Sequence, residues 1–81
     1  MRLLLFGRLG DIGAHLNGAT IPLEIGTVAD VMAWTEQHNE ALFKALHGPG
    51  VRIAVDQHFV DADAPVTARS EVAFMSPLSG G

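Results

Sequence analysis

The chain of 81 residues is 48% hydrophobic and 17% charged, which indicates one small globular domain and excludes a disordered segment. Its five basic residues are scattered among nine acidic ones, giving a net charge of −4, which argues against a nucleic-acid partner and suits docking on a basic protein surface. With no cysteine, the chain has no disulfide, thiolate metal site or cysteine nucleophile. Its apolar opening is too short for a signal peptide or a membrane span, so we expect a cytoplasmic protein that does not associate with a membrane.

The first predicted strand covers residues 2–8, which are rich in leucine. Alternation along a strand places Leu3 and Leu5 on one face and Leu4 and Phe6 on the other. Since both faces are largely apolar, the pattern leaves open whether the strand is buried on both sides or exposes one.

After this strand, glycines at every third position from Gly7 to Gly13 match neither the dinucleotide fingerprint nor a phosphate-binding loop, and they predict a loop. An Asn-Gly dipeptide at positions 17 and 18 is a strong turn signal, so residues 19–25 are predicted to form a second strand. Pro22 lacks an amide donor, which places that strand at a sheet edge.

Two helices are predicted next. Thr27 is a good N-cap with Asp30 at the third helical position, and Asn39 resembles the cap of a second, shorter helix that ends at Gly48. Residues that recur at helical spacing predict a stripe on each helix that faces the core: Val28, Val31, Met32 and Thr35 on the first, and Leu42, Phe43 and Leu46 on the second.

The C-terminal half is predicted to consist of short strands. They cover 51–55, 58–60 and 71–75, separated by a turn at 56–57, a loop at 61–65 and a turn or short bridge at 66–70. Because helices do not alternate with strands, we expect an α+β roll, in which a mixed sheet packs on one main helix, and not a doubly wound parallel sheet.

Strand alternation also predicts an exposed apolar patch. If the first and last strands are neighbours, Leu4, Phe6 and Met75 share the face turned away from the core, and Phe59 joins them if its short strand runs alongside. An exposed apolar patch on a soluble protein usually marks a partner site, so this face is a candidate docking surface.

The side chains offer no catalytic set of their own. The four histidines have no metal-ligand spacing, and Asp61 and Asp63 lack the other ligands and the glycine of a calcium loop. Ser76 and Ser79 lie in no nucleophile elbow. We therefore expect no bound metal or cofactor, and no enzyme activity of the chain on its own.

The chain ends in Gly80 and Gly81, which can thread a channel too narrow for larger residues and present one α-carboxylate. The alternative is a frayed terminus without a role. We expect a folded domain over residues 1–75 and a flexible tail over 76–81, in which Pro77 stiffens the exit from the last strand.

Several segments of the chain resemble the small subunit of molybdopterin synthase. They are Leu5-Phe6-Gly7-Arg8-Leu9, the helix start Thr27-Val28, the run Ala54-Val55-Asp56-Gln57 and, most specifically, the final segment from Glu71 to Gly81. The chain departs from that family at Gly10-Asp11, Asp56 and Ser76, where the family often has a basic-acidic pair, an asparagine and a proline.

This resemblance implies the β-grasp fold, shared with ubiquitin, and a sulfur-carrier function in molybdenum cofactor biosynthesis. An E1-like adenylyltransferase uses ATP to adenylate the carboxylate of Gly81, and a persulfide donor enzyme converts it to a thiocarboxylate. The tail then inserts into the large subunit of a heterotetrameric synthase, where the sulfur goes to cyclic pyranopterin monophosphate.

The same resemblance implies two groups of site residues. Those that thread the partner's active site before Gly81 are Pro77, Leu78, Ser79 and Gly80, and those that dock on the partner are Leu4, Phe6, Arg8, Phe59 and Met75. Two alternatives stay open: a carrier for thiamine or tRNA thiolation or a ubiquitin-like modifier, and a β-grasp interaction module whose terminal glycines are incidental. The Phe-x-Arg-Leu run favours the molybdopterin carrier, since the thiamine carrier usually lacks it.

Overall fold

The computed structural model describes residues 1–22 and 25–77. Its strands are β1 Arg2–Phe6, β2 Ile25–Thr27, β3 Arg52–Val55, β4 His58–Val60, β5 Pro65–Thr67 and β6 Glu71–Met75. Its helices are α1 Arg8–Ile12, α2 Val28–His38 and α3 Glu40–Leu46, with a short 3₁₀ helix at Ala14–Leu16.

Four of the strands form a mixed sheet in the order β1-β6-β3-β4. β1 pairs parallel with β6, whereas β3 runs antiparallel to both β6 and β4. The first and last strands are therefore neighbours, as the predicted apolar patch required. β2 and β5 form a separate antiparallel pair.

The core lies between the inner face of the four-stranded sheet and the helices. Leu3 and Leu5 of β1 and Val72 and Phe74 of β6 are at most 2% exposed, and one contiguous apolar cluster joins them to all three helices. The predicted helical stripes are confirmed for the residues that are buried: Val28, Val31, Met32, Thr35, Leu42 and Leu46. Phe43 is half-buried and lies outside the core cluster, so its predicted place in the stripe is wrong. The architecture is the predicted α+β roll.

Both predicted helix starts are confirmed by their caps. Thr27 Oγ1 accepts the N–H of Asp30 at 3.4 Å, and the Asp30 carboxylate accepts the N–H of Thr27 at 2.8 Å, which completes a capping box. Asn39 Oδ1 accepts the N–H of Leu42 at 3.0 Å, and its amide donates to the carbonyl of Ile12 at 3.1 Å. The second cap therefore also ties the start of α3 to the end of α1.

The loop predicted between Gly7 and Gly13 is wrong, since Arg8–Ile12 form α1. A glycine inside a helix costs about 1 kcal/mol relative to alanine, so the glycine spacing favoured a loop. Burial of Leu9 offsets that cost, because it adds apolar contacts that local propensity ignores. At the helix end, a Cβ on Gly13 would lie 2.7 Å from a methyl of Leu42, so glycine permits the close approach of α3.

The predicted second strand over 19–25 is only partly correct. After the turn, the backbone returns along β1, and the N–H of Leu3 donates to the carbonyl of Ala19 at 3.0 Å. The strand β2 covers Ile25–Thr27 and pairs with β5, which lies partly in the segment predicted as a turn or short bridge. Positions 23 and 24 of the predicted strand lie outside the described residues. The chain thus changes its pairing partner between these two stretches, which local alternation does not reveal.

Candidate docking face and tail root

The outer face of the four-stranded sheet is the face turned away from the core. On it, the strand register aligns the side chains in rows that run across the strands. In the middle row Leu4 lies opposite Ala73, Ala73 opposite Ala54, and Ala54 opposite Phe59. The two alanines are short and the residues at both ends are large, so a shallow depression of about 270 Å³ opens over the row. A depression of this kind suits an apolar side chain from a partner.

The adjacent row, which we call the tail-side row, consists of Phe6, Met75 and Arg52. Met75 is the last residue of β6, so this row lies where the chain leaves the sheet. Phe6 is 50% exposed, and Phe59 beside the row is 63% exposed. Two large aromatic side chains in water on one face are unusual in a small soluble domain and indicate a partner site.

Arg52 contributes a charge to this apolar face. Its guanidinium carbon lies 4.1 Å from the centroid of the Phe59 ring, within the range of a cation–π interaction. The stacking holds the guanidinium close to the face, where it covers part of the ring.

The predicted docking residues are only partly brought together. Leu4, Phe6, Phe59 and Met75 share the outer face, as strand alternation predicted. Arg8 does not, because it lies beyond the end of β1 as the first residue of α1. That these residues contact a partner stays a prediction.

The start of the tail is tied to the end of β1 by Ser76. Its hydroxyl accepts the N–H of Arg8 at 2.9 Å and donates to the carbonyl of Phe6 at 3.3 Å. Gly7 lies between these two residues with φ 66°, and a Cβ at that position would collide with the Ser76 hydroxyl. The hydroxyl therefore fixes the direction of the chain as it leaves the sheet, and glycine is needed opposite it.

Pro77 lies against the loop that follows α3. Gly50 in this loop has φ 79°, and a Cβ on it would lie 2.7 Å from Pro77 Cγ. Beside Pro77 runs a mainly apolar groove of about 380 Å³. It is lined by residues of α1, including Arg8, by the end of α3 and the loop after it, and by Ser76 and Pro77, which we call the tail root. The chain is thus held by contacts as far as Pro77.

The remaining predicted tail residues, Leu78, Ser79, Gly80 and Gly81, lie outside the described residues. Within residues 1–22 and 25–77, no group of three histidine, aspartate or glutamate side chains is placed to hold a metal ion. In those same ranges no helix is long and apolar enough to cross a membrane.

Two features of this site were not assigned a role from the sequence. Alternation along β3 directs Arg52 away from the core-facing Ile53 and Val55, but its contact with Phe59 depends on the pairing of β3 with β4. The role of Ser76 depends on the parallel pairing of β1 with β6, which brings residues far apart in the chain together. In both cases strand alternation was the available signal, and the missing information was which strands are neighbours.

Comparison with known proteins identifies the fold. The model of the ThiS family matches residues 3–81 of the chain. The crystal structure of SAMP1 from Haloferax volcanii covers 100% of this chain with 98% of its own, at 19% sequence identity and a TM-score of 0.83. This similarity confirms the predicted ubiquitin-like β-grasp fold. A search of curated protein sequences finds no match.

Proposed function

The chain belongs to the ThiS family of small ubiquitin-like sulfur carriers, and on that premise we propose that it is the sulfur-carrying small subunit of a molybdopterin synthase. In this proposal the α-carboxylate of Gly81 is the working group, and the folded domain carries it between proteins. The observation that carries the proposal is the pair of apolar residues in the tail-side row, the exposed Phe6 and the partly exposed Met75, beside the root of a tail that ends in two glycines.

The chemistry begins with activation, because a free carboxylate is a poor electrophile. An E1-like adenylyltransferase joins Gly81 to the AMP part of ATP and releases pyrophosphate. The terminal sulfur of a protein persulfide attacks the acyl carbon and displaces AMP. A thiol then cleaves the acyl disulfide, which leaves a thiocarboxylate on Gly81 and a disulfide on the donor side.

The loaded tail then enters the large subunit, which supplies the catalytic side chains. Its sulfur is passed to cyclic pyranopterin monophosphate, and hydrolysis returns Gly81 to the carboxylate. Two such transfers build one dithiolene, and the proposed synthase is a heterotetramer. We place this cycle in the cytoplasm.

In this cycle the described residues bind the partner proteins and position the tail, and in this proposal they hold no cofactor. The outer face docks on each partner, and the Ser76 hydroxyl fixes the point from which the tail departs. Ordering one residue costs roughly 1–2 kcal/mol. Because Ser76 and Pro77 are already held by contacts with the domain, these two residues add no such cost when a partner binds the tail.

A second candidate is a carrier for thiamine or tRNA thiolation, or a ubiquitin-like protein modifier. It is supported by the match to the ThiS family and by the fold shared with SAMP1. Both candidates activate Gly81 in the same way. They differ in the acceptor, which is a pterin precursor in the first and another small molecule, a tRNA base or a lysine amine in the second.

Intact-mass spectrometry tests the proposal. The full chain is incubated with ATP, a persulfide donor and an E1-like adenylyltransferase, and then with the large subunit and cyclic pyranopterin monophosphate. We expect a sulfur-for-oxygen mass gain that disappears in the second step as molybdopterin forms. A gain that persists until a thiazole precursor, a tRNA or a protein lysine is offered instead supports the second candidate.

Two control chains locate the reaction. One lacks Gly81, and the other carries one extra alanine after it, which keeps a carboxylate but adds a Cβ to the tip. We expect neither to gain sulfur. A mass gain that survives the deletion of Gly81, or no gain by the full chain, contradicts both carrier functions.

A further inference from the structure

Arg52 is a cation within an otherwise apolar part of the outer face. Its outward direction follows from β3, in which Ile53 and Val55 pack against the core. Its cross-strand neighbour is Met75, and its guanidinium group lies over the ring of Phe59. Both of these neighbours are apolar, so the charge of Arg52 lies between the side chain of Met75 and the exposed ring of Phe59.

The opposite end of the same face carries one cation and two anions. Arg2 lies directly across from Glu71 in the parallel pair of β1 and β6. Asp56 adjoins them, since its carboxylate accepts the N–H of Glu71 at 2.9 Å. The end of the face distant from the tail therefore carries both signs of charge, whereas the tail-side row contains one cation and no anion. Among the described residues, the nearest acidic residue by strand register is the exposed Asp61, one step beyond the Ile53–Val60 pair, and it forms no ion pair with Arg52.

In the described part of the chain, Arg52 makes no ion pair. The ion pair found there joins Lys44 to Glu40 on α3, at 3.1 Å. Arg8, at the start of α1 near the tail root, is a second exposed cation on this side. A chain with a net charge of −4 thus presents positive charge where its tail leaves the domain.

This arrangement constrains what can cover the face. A partner surface that buries Phe6, Met75 and Phe59 also removes water from the Arg52 guanidinium. An unpaired buried charge is strongly unfavourable, so a purely apolar or basic surface is rejected. A carboxylate opposite the guanidinium restores its hydrogen bonds, and the planar fork allows two at once.

We propose that Arg52 is an electrostatic docking residue, and that the adenylyltransferase presents a carboxylate to it beside an apolar surface at the entrance for the tail. The adenylyltransferase is the assigned partner because every candidate function of the tail passes through it. This inference rests on the proposed activation of Gly81. It also reverses the expectation from net charge, since the part of the partner that meets this face is acidic.

The test is ATP–pyrophosphate exchange by the adenylyltransferase, measured against the concentration of the full-length chain. We expect R52E to raise the KM for the chain by about tenfold or more while kcat changes little, because like charges then face each other. R52K keeps the charge but loses the planar fork, so its KM should lie between that of the wild-type chain and that of R52E. Raising the salt concentration should raise the KM of the wild-type chain and leave that of R52E nearly unchanged.

The matched control is K44E, which makes the same change of charge on α3, away from the outer face. We expect its KM to equal that of the wild-type chain. Circular dichroism melts of both variants check that each is folded. Exchange with a wild-type KM for R52E, or an equal loss in K44E, overturns the inference and leaves the proposed function intact. No exchange with the wild-type chain overturns the proposed function and the inference with it.

Discussion

The two faces of the four-stranded sheet are built from the same strands, but their apolar side chains have different explanations. On β1 and β6, alternate residues such as Leu5 and Phe74 are at most 2% exposed, while Phe6 on the other face is 50% exposed. The inner residues are accounted for by the core that they form with the helices. Phe6 and Phe59 of the outer face are also large and apolar, yet the fold leaves at least half of each side chain in water.

The difference between these faces separates stability from function. Burial of the inner face supplies much of the hydrophobic stabilisation of a small domain. The outer aromatic residues contribute little to it, so a binding partner is the better explanation for their apolar character. Substitutions on the two faces should therefore have opposite profiles, one affecting folding and the other affecting binding.

The largest expected effect is on the inner face. Phe74→Ala should lower the free energy of unfolding by about 3–5 kcal/mol, because it removes a fully buried ring and leaves a cavity. Urea denaturation followed by circular dichroism measures this, with Leu5→Ala as a second inner-face variant for the case in which Phe74→Ala fails to fold. A loss below about 1 kcal/mol for both would contradict the assignment of this face as the core.

The complementary change on the outer face is Phe6→Asp. We expect the free energy of unfolding to change by less than about 1 kcal/mol, since the ring is half exposed. Binding to the large subunit should weaken by about 2 kcal/mol or more, because a charge then replaces an apolar anchor. Isothermal titration calorimetry measures the binding, and an unchanged affinity would refute the docking role of this face.

A third prediction concerns the junction between the sheet and the tail. Ser76→Ala removes the hydroxyl that links Arg8 to Phe6 and should cost about 1 kcal/mol of stability. Amide hydrogen exchange reports the local effect, since the Arg8 N–H loses its acceptor and should exchange faster. The Leu42 amide, bonded to Asn39 in a separate cap, is the internal control. Unchanged exchange at Arg8 would show that the hydroxyl does not hold the tail root.

The smallest expected effect is at the turn that joins β3 to β4 and so positions Phe59. Gln57 has φ 69°, a conformation that favours glycine. Gln57→Gly should raise the free energy of unfolding by about 0.5–1 kcal/mol. Gly18→Ala is the matched control, since Gly18 has φ 83° and open space around it, and it should lower stability by a similar amount. A loss of stability in Gln57→Gly would contradict the turn geometry.

Much of this fold follows from local sequence patterns. Alternation correctly separated Leu3 and Leu5 from Leu4 and Phe6, and the caps at Thr27 and Asn39 correctly marked both main helices. The grouping of the outer apolar residues also followed from alternation, once the first and last strands were taken as neighbours.

What the sequence did not predict depends on contacts between distant segments. The helix α1 is held by burial of Leu9, which outweighs the low helix propensity of its glycine. The pairing of β2 with β5, the position of Arg52 over Phe59 and the hydrogen bonds of Ser76 all depend on which strands meet. The proposed chemistry of the tail tip rests on its sequence and on membership of the ThiS family.

The most direct test of the carrier function is to locate the sulfur. The full chain, treated with ATP, the adenylyltransferase and a persulfide donor, is fragmented in a tandem mass spectrometer. We predict one sulfur-for-oxygen exchange, confined to fragments that contain Gly81 and lost when the large subunit and the pterin precursor are added. Sulfur on any other residue, or a terminal carboxylate that never exchanges its oxygen, would contradict the carrier function.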